Sequence, residues 1–194
     1  LTFTTLDWNV AQTVTVTGVD DFADDGDVAY TIVTAPATSA DPNYNTEDCA
    51  DVTVTNTDDD VAGITVDPTS GLVTTEAGGT ATFTVVLDTE PTADVTVDLS
   101  SDNPAEGTVA PVSVTFTAAD WSAPQMVTVT GVDDSVDDGD VAYAIVTAAA
   151  TSTDTNYGGT VDPDDVTVTN TDDDVAGITV DPTSGLTTTE AGGT

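Results

Sequence analysis

The chain has no lysine, no arginine and no histidine in its 194 residues. Without cations it cannot grip a phosphate backbone or an anionic lipid surface, so nucleic acid is excluded as a partner. With no histidine and only Cys49, it lacks the usual ligands of zinc and copper. The same shortage argues against an enzyme, because general bases and nucleophiles draw mostly on His, Lys, Cys and Arg. A lone cysteine forms no internal disulfide. Cys49 reads as an inert thiol, with an intermolecular bridge as the minority alternative. Long apolar runs are also missing. No stretch approaches the roughly 18 residues that span a bilayer, and no charged segment with an apolar core opens the sequence. Leu1 leads straight into strand-like sequence, as expected of a piece of a longer protein.

What the chain does have is 36 acidic side chains, for a net charge of −36. High acidity marks disorder only when hydrophobicity is low, and here 38% of residues are hydrophobic. Valine and threonine dominate, and both suit pleated, half-buried strands. The chain therefore reads as folded and all-β. It offers trypsin no cleavage site, which suits life outside a cell.

The sequence repeats itself. Residues 61–80 and 175–194 differ only at Val73 versus Thr187. VTVTNTDDD at 52–60 returns at 166–174, and VTVTGVDD at 14–21 returns at 127–134. Offsets of 114 and 113 residues define a tandem unit of about 114 residues. Residues 1–60 are then the back half of a preceding unit, 61–174 one complete unit, and 175–194 the first strands of a following one.

Within the complete unit, apolar and polar residues alternate with the period of strands. Phe83, Val85 and Leu87 oppose Thr82, Thr84 and Val86, while Val95, Val97 and Leu99 alternate with Thr96 and Asp98. Val114 and Phe116, Val127 and Val129, and Val166 and Val168 follow the same rule. Asp67-Pro68, Gly78-Gly79, Glu90-Pro91, Asn103-Pro104, Asp138-Gly139 and Gly158-Gly159 supply turns. Roughly seven short strands predict an immunoglobulin-like antiparallel β-sandwich. Tyr143 and Tyr30 sit just after a turn, where a tyrosine corner or an ordinary cross-strand tyrosine fits equally. Trp8 and Trp121 are expected to lid the core.

The aspartates are not scattered, as simple adaptation to high salt would predict. Asp20, Asp21, Asp24, Asp25 and Asp27 form one Asp-Asp-x-x-Asp-Asp-Gly-Asp cluster, and Asp133, Asp134, Asp137, Asp138 and Asp140 form its repeat. Asp58, Asp59 and Asp60 end one Thr-Asp-Asp-Asp run, and Asp172, Asp173 and Asp174 end the other. In such a sandwich the acidic loop, the end of the last strand and Glu76 meet at one pole, with Asp102 able to join them. Two carboxylates at ~4 Å repel by about 1 kcal/mol even in bulk water, so a crowd of them without cations needs an ion from solution. Ca²⁺ takes six to eight oxygens and uses carboxylates flexibly, whereas Mg²⁺ tends to keep its waters.

The Glu-x-Gly-Gly turn before ATFTVVL, then VTFT, VTVTGVDD-x-x-DDGD and a terminal VTNTDDD, together resemble Calx-β domains. They are also similar to immunoglobulin-like repeats of large bacterial surface proteins and adhesins. The resemblance implies Ca²⁺ held by Glu76, by the residue 133–140 loop and by Asp172, Asp173 and Asp174. In the preceding unit the counterpart of Glu76 falls before Leu1, so that site is expected to be incomplete. The expected function is an extracellular, calcium-stabilised structural repeat of a fibre or adhesin stalk at a bacterial cell surface. Its partners would be calcium ions, neighbouring repeats of the same chain and, as a further option, like chains in a fibre. An adhesive module for glycans or surfaces and a Calx-β-type calcium sensor are the alternatives. A glycosidase-type carboxylate pair fits poorly, because these carboxylates recur at every repeat boundary.

Overall fold

The computed structural model describes residues 1–193. They fall into two compact units, Leu1–Ala62 and Gly63–Thr194. In the first unit, β1 (Val28–Ile32) pairs antiparallel with β2 (Val52–Asn56), placing Val28 opposite Asn56 and Tyr30 opposite Val54.

Among the described residues the second unit holds nine strands. They are β3 (Ile64–Asp67), β4 (Leu72–Thr75), β5 (Thr80–Leu87), β6 (Val95–Ser101), β7 (Gly107–Ala110), β8 (Ser113–Phe116), β9 (Gln125–Gly131), β10 (Val141–Thr147) and β11 (Val166–Thr171). Five form a sheet of order β4-β11-β10-β6-β8, and four a sheet of order β3-β5-β9-β7. The architecture is an all-β sandwich, and among the described residues there is no helix.

Alternation along the strands decides what is buried. Phe83, Val85 and Leu87 of β5 and Val127 and Val129 of β9 turn inward from one sheet. Val95, Val97, Leu99, Val114, Phe116, Ile145, Val166 and Val168 turn inward from the other. Their neighbours Thr82, Asp98, Thr115 and Thr167 face water. Each such buried aliphatic or aromatic side chain contributes about 1.5–3 kcal/mol through burial alone.

Four expectations need correction. The unit has nine strands rather than about seven, because the first strand region is two strands in different sheets and β7 is a four-residue strand. Pro68 and Gly71, which takes φ +78°, break that first run and let it cross between sheets. The sandwich is also not wholly antiparallel, since β4 pairs parallel with β11, Val168 lying opposite Leu72. Tyr143 is not a corner. It sits within β10, its hydroxyl lies 3.2 Å from the Thr74 hydroxyl, and its ring crosses the core onto the backbone of Gly107. Any side chain at position 107 would strike that ring. Finally, Trp8 is no lid: it is 68% exposed, while Trp121 is part-buried and its carbonyl accepts from the Leu87 amide at 3.2 Å.

Candidate metal centre

Strand direction gathers the acids of the second unit. Because β4 and β11 run parallel, Thr75 and Thr171 end side by side, leaving Glu76 and Asp172 at the same pole. β10 runs antiparallel to β11 with Val141 opposite Asn170, so the β9–β10 connection arrives there too.

Part of the acidity is consumed in shaping this pole. Asp134 Oδ1 accepts from the Val136 amide at 2.7 Å, and Asp172 Oδ1 from the Asp174 amide at 2.8 Å, the two-residue turns that short acidic side chains favour. Gly139, at φ +76°, donates its amide to Asp172 Oδ2 at 2.7 Å. The Asp172 amide in turn reaches Asp140 Oδ1 at 3.2 Å, and the Ala176 amide reaches Asp137 Oδ2 at 2.7 Å. Asp172, Asp140 and Asp137 thus hold the backbone.

Carboxylates also collect in two groups whose oxygens lie within 4.8 Å of one another: Glu76, Asp173 and Asp174, and Glu106, Asp134 and Asp138. Glu76 is only 3% exposed and Glu106 only 6%. Glu76 Oε2 accepts from the Asp173 amide at 3.2 Å. Asp174 Oδ2 is buried with no hydrogen-bond partner among the described residues. An unpaired buried carboxylate oxygen carries a full desolvation cost, and such an atom in a native fold calls for an ion or water.

The electrostatics agree. Burial pushes the Asp174 carboxyl above the ordinary range, and the charges of Asp172, Asp173, Asp133 and Asp134 push it further. For Glu76 the Asp173 amide pulls downward most strongly, but burial and the charges of Asp172 and Asp134 together outweigh it, and the net shift is upward. Asp172 moves the other way, held low by the amides of Asp174 and Gly139. Crowded acids that resist ionising lie next to one stabilised as an anion by fixed amides.

Asn170, buried in β11, ties the pole to the core. Its Nδ2 donates to the Val132 carbonyl at 3.0 Å and to Glu106 Oε2 at 3.4 Å, and its Oδ1 accepts from Thr74 Oγ1 at 2.9 Å.

The first unit repeats the same framework. Gly26 donates to Asp58 Oδ2 at 2.6 Å, the Asp58 amide to Asp27 Oδ1 at 3.1 Å, the Asp60 amide to Asp58 Oδ1 at 3.0 Å, and the Ala62 amide to Asp24 Oδ2 at 2.9 Å. Asp21 Oδ1 caps the Ala23 amide at 3.0 Å. Asp20, Asp59 and Asp60 form the acidic group. Burial, then the charges of Asp58, Asp59, Asp20 and Asp21, raise the Asp60 carboxyl. Asp25 lines a cavity of about 220 Å³ with Gly18, Asn56 and Asp58.

Glu106 was not among the residues the sequence singled out. It stands alone in the turn after Asn103-Pro104, outside any acidic run. Asp102 does not join the pole: its carboxylate accepts from the Ala144 amide at 2.8 Å, extending the β6–β10 pairing. Asp133 falls in neither group of three and acts on Asp174 through its charge.

The donor set is all hard oxygen. Separations under 4.8 Å between ligand oxygens suit an ion that takes oxygens at about 2.3–2.6 Å, which is the habit of Ca²⁺. Fold and site together define an all-β sandwich with clustered, part-buried carboxylates at one pole. No family model and no curated protein sequence matches the chain. Among solved structures it is similar to the apo form of the Calx CBD1 domain, at 15% identity and TM-score 0.45, covering 59% of this chain and 100% of that one. It is also similar to CBD12 from CALX1.2, at 14% identity and TM-score 0.41, covering 55% and 43%. Domains 4 and 5 of the S-layer protein SbsC align at 16% identity and TM-score 0.33, covering 78% and 74%. At such values these likenesses carry no argument about function.

Proposed function

We propose that the chain is a calcium-binding structural repeat of an extracellular fibre or stalk at a bacterial surface. The observation that carries this reading is the buried, unpartnered Asp174 Oδ2 beside Glu76 and Asp173. Glu76, Asp173 and Asp174 would hold one ion and Glu106, Asp134 and Asp138 another, with Asp20, Asp59 and Asp60 the counterpart group in the first unit. Bound calcium would supply positive charge and give Asp174 Oδ2 the partner it lacks. The chain's own part is to fix the ligands: Asp172, Asp140 and Asp137 pin the loop and the residues leading out of the pole.

Position supports a mechanical role over a signalling one. The acids end the last strand of each repeat, next to the residues that lead into the following copy of the sequence. Rigidity there sets the reach of a tandem array. Calorimetric titration with calcium should give binding near 10⁻⁴–10⁻³ M, typical of extracellular modules, and chelation should lower the Tm. Titration without heat, together with a Tm indifferent to chelator, sinks the reading. Affinity near 10⁻⁷–10⁻⁵ M would favour the sensor instead.

A further inference from the structure

We propose that Asn170 is a positioning residue of the cation site: it holds no ion itself, but fixes Glu106 as a ligand of the Glu106, Asp134 and Asp138 group. The proposal rests on the calcium reading above and adds an uncharged residue to it.

Glu106 needs such help more than the other buried glutamate does. Glu76 Oε2 is oriented by the Asp173 amide at 3.2 Å, a backbone donor within its own group. Glu106 lies in the connection between β6 and β7. Among the described residues its carboxylate has one hydrogen-bond partner, Asn170 Nδ2 at 3.4 Å. A glutamate side chain left unanchored gives up its rotamer freedom on ligating an ion, and that cost weakens binding.

Asn170 is placed to remove the cost in advance. It is 1% exposed, and both polar atoms of its side chain are engaged. The Thr74 hydroxyl gives its single proton to Asn170 Oδ1 at 2.9 Å, so the Tyr143 hydroxyl, 3.2 Å away, donates to Thr74 Oγ1. That directed chain holds Oδ1 on the Thr74 side and turns Nδ2 toward the acids. The two Nδ2 hydrogens go to Glu106 Oε2 and to the Val132 carbonyl. The Val132 amide donates in turn to the Glu106 carbonyl at 3.0 Å. Asn170, Glu106 and Val132 thus close a ring, and Val132 stands two residues before Asp134. The Tyr143 ring also lies against the backbone of Gly107, which fixes the residue after Glu106.

The bond to the acidic loop recurs in the first unit, where Asn56 Nδ2 donates to the Val19 carbonyl at 3.0 Å, just before Asp20. An aspartate at 170 would have the same shape but would set a carboxylate against Glu106. The amide orients that acid without adding a further anion to a pole that has no cation of its own.

Calorimetric titration of the 194-residue chain with calcium, run as a double-mutant cycle, tests the assignment. Asn170→Leu should weaken one class of site by about 10–100-fold, the usual effect of losing a partner that orients a metal ligand. Glu106→Gln should weaken the same class at least as much, and the double variant should bind no worse than Glu106→Gln alone. Asn170→Leu should also lower the Tm in chelator. That loss with calcium affinity intact, or losses in affinity that multiply in the double variant, would mean a merely structural role and overturn the proposal. Thr74→Val keeps the amide but frees it to turn; it should weaken the same class of site, and Thr74→Ser should restore it. This pair decides the matter if Asn170→Leu does not fold, since an affinity unchanged in Thr74→Val overturns the proposal. No binding by the unaltered chain sinks the calcium reading and the role of Asn170 with it. Binding that Glu106→Gln leaves untouched overturns the role of Asn170 alone.

Discussion

Residues 61–79 and 175–193 are the same sequence but for one position, yet they differ in structure. In the first copy Thr74 and Glu76 are buried, β3 and β4 form, and the turn closes over Gly131. In the second copy Thr188 and Glu190 are exposed and no strand forms among the described residues. Local propensity cannot explain the difference, since it is equal in both. What differs is the neighbour: β11 offers residues 72–75 a paired backbone and Asn170, while residues 186–189 have none. The same residues form a strand where β11 lies beside them, in line with the strong context dependence of β preference.

The sharpest way to break this comparison is to remove the polar anchor of β11. Asn170→Ala would leave the Val132 carbonyl and Glu106 without their partner in a buried site and the Thr74 hydroxyl with only Tyr143, costing about 3 kcal/mol. The matching Asn56→Ala removes one bond to the Val19 carbonyl on a part-buried surface and should lower the unfolding free energy of the first unit by less than about 0.5 kcal/mol. Equal costs would mean that β2 is already covered as β11 is.

The two copies also show how much of the molecule was legible in advance. Alternation located Phe83 through Val168 on the inner faces, because a half-buried sheet imposes a period of two wherever a strand is long enough to show it. The short runs escaped. β7 has four residues, and β3 and β4 read as one region because Pro68 and Gly71 mark a turn without saying that the chain changes sheets. At the site, runs of aspartate were visible as runs. Glu106 was not, since an isolated acid in a turn becomes a site residue only through the long-range approach of Asp134 and Asp138. Trp8 shows the opposite limit: it shares the Asp-Trp pair of Trp121, but among the described residues of its unit it is 68% exposed.

A second contrast is smaller in energy and lies in the loop before the last strand. Tyr157 is 1% exposed; its hydroxyl donates to the Thr89 carbonyl at 2.8 Å, accepts from the Thr89 amide at 3.2 Å and lies 2.7 Å from the Thr89 hydroxyl. Its counterpart Tyr44 is 62% exposed. Tyr157→Phe should therefore cost about 1–2 kcal/mol in urea denaturation, with the buried Thr89 groups left unpaired, and Tyr44→Phe should cost nothing measurable. A loss from Tyr44→Phe would show the first unit to be closed around that side chain.

The smallest expected effect tests the premise of the whole comparison. Position 73 in the first copy, and 187 in the second, is the one place where sequence rather than context could set the two apart. Val73 is exposed on the outer face of β4, and valine and threonine are both β-branched strand formers. Val73→Thr would make the folded copy identical to the exposed one over residues 61–80. It removes no buried contact, so the stability of the complete unit should change by less than about 0.5 kcal/mol, with β4 amides as protected from hydrogen exchange as before. Loss of protection confined to β4 would trace the exposed state of residues 186–189 to Thr187 itself.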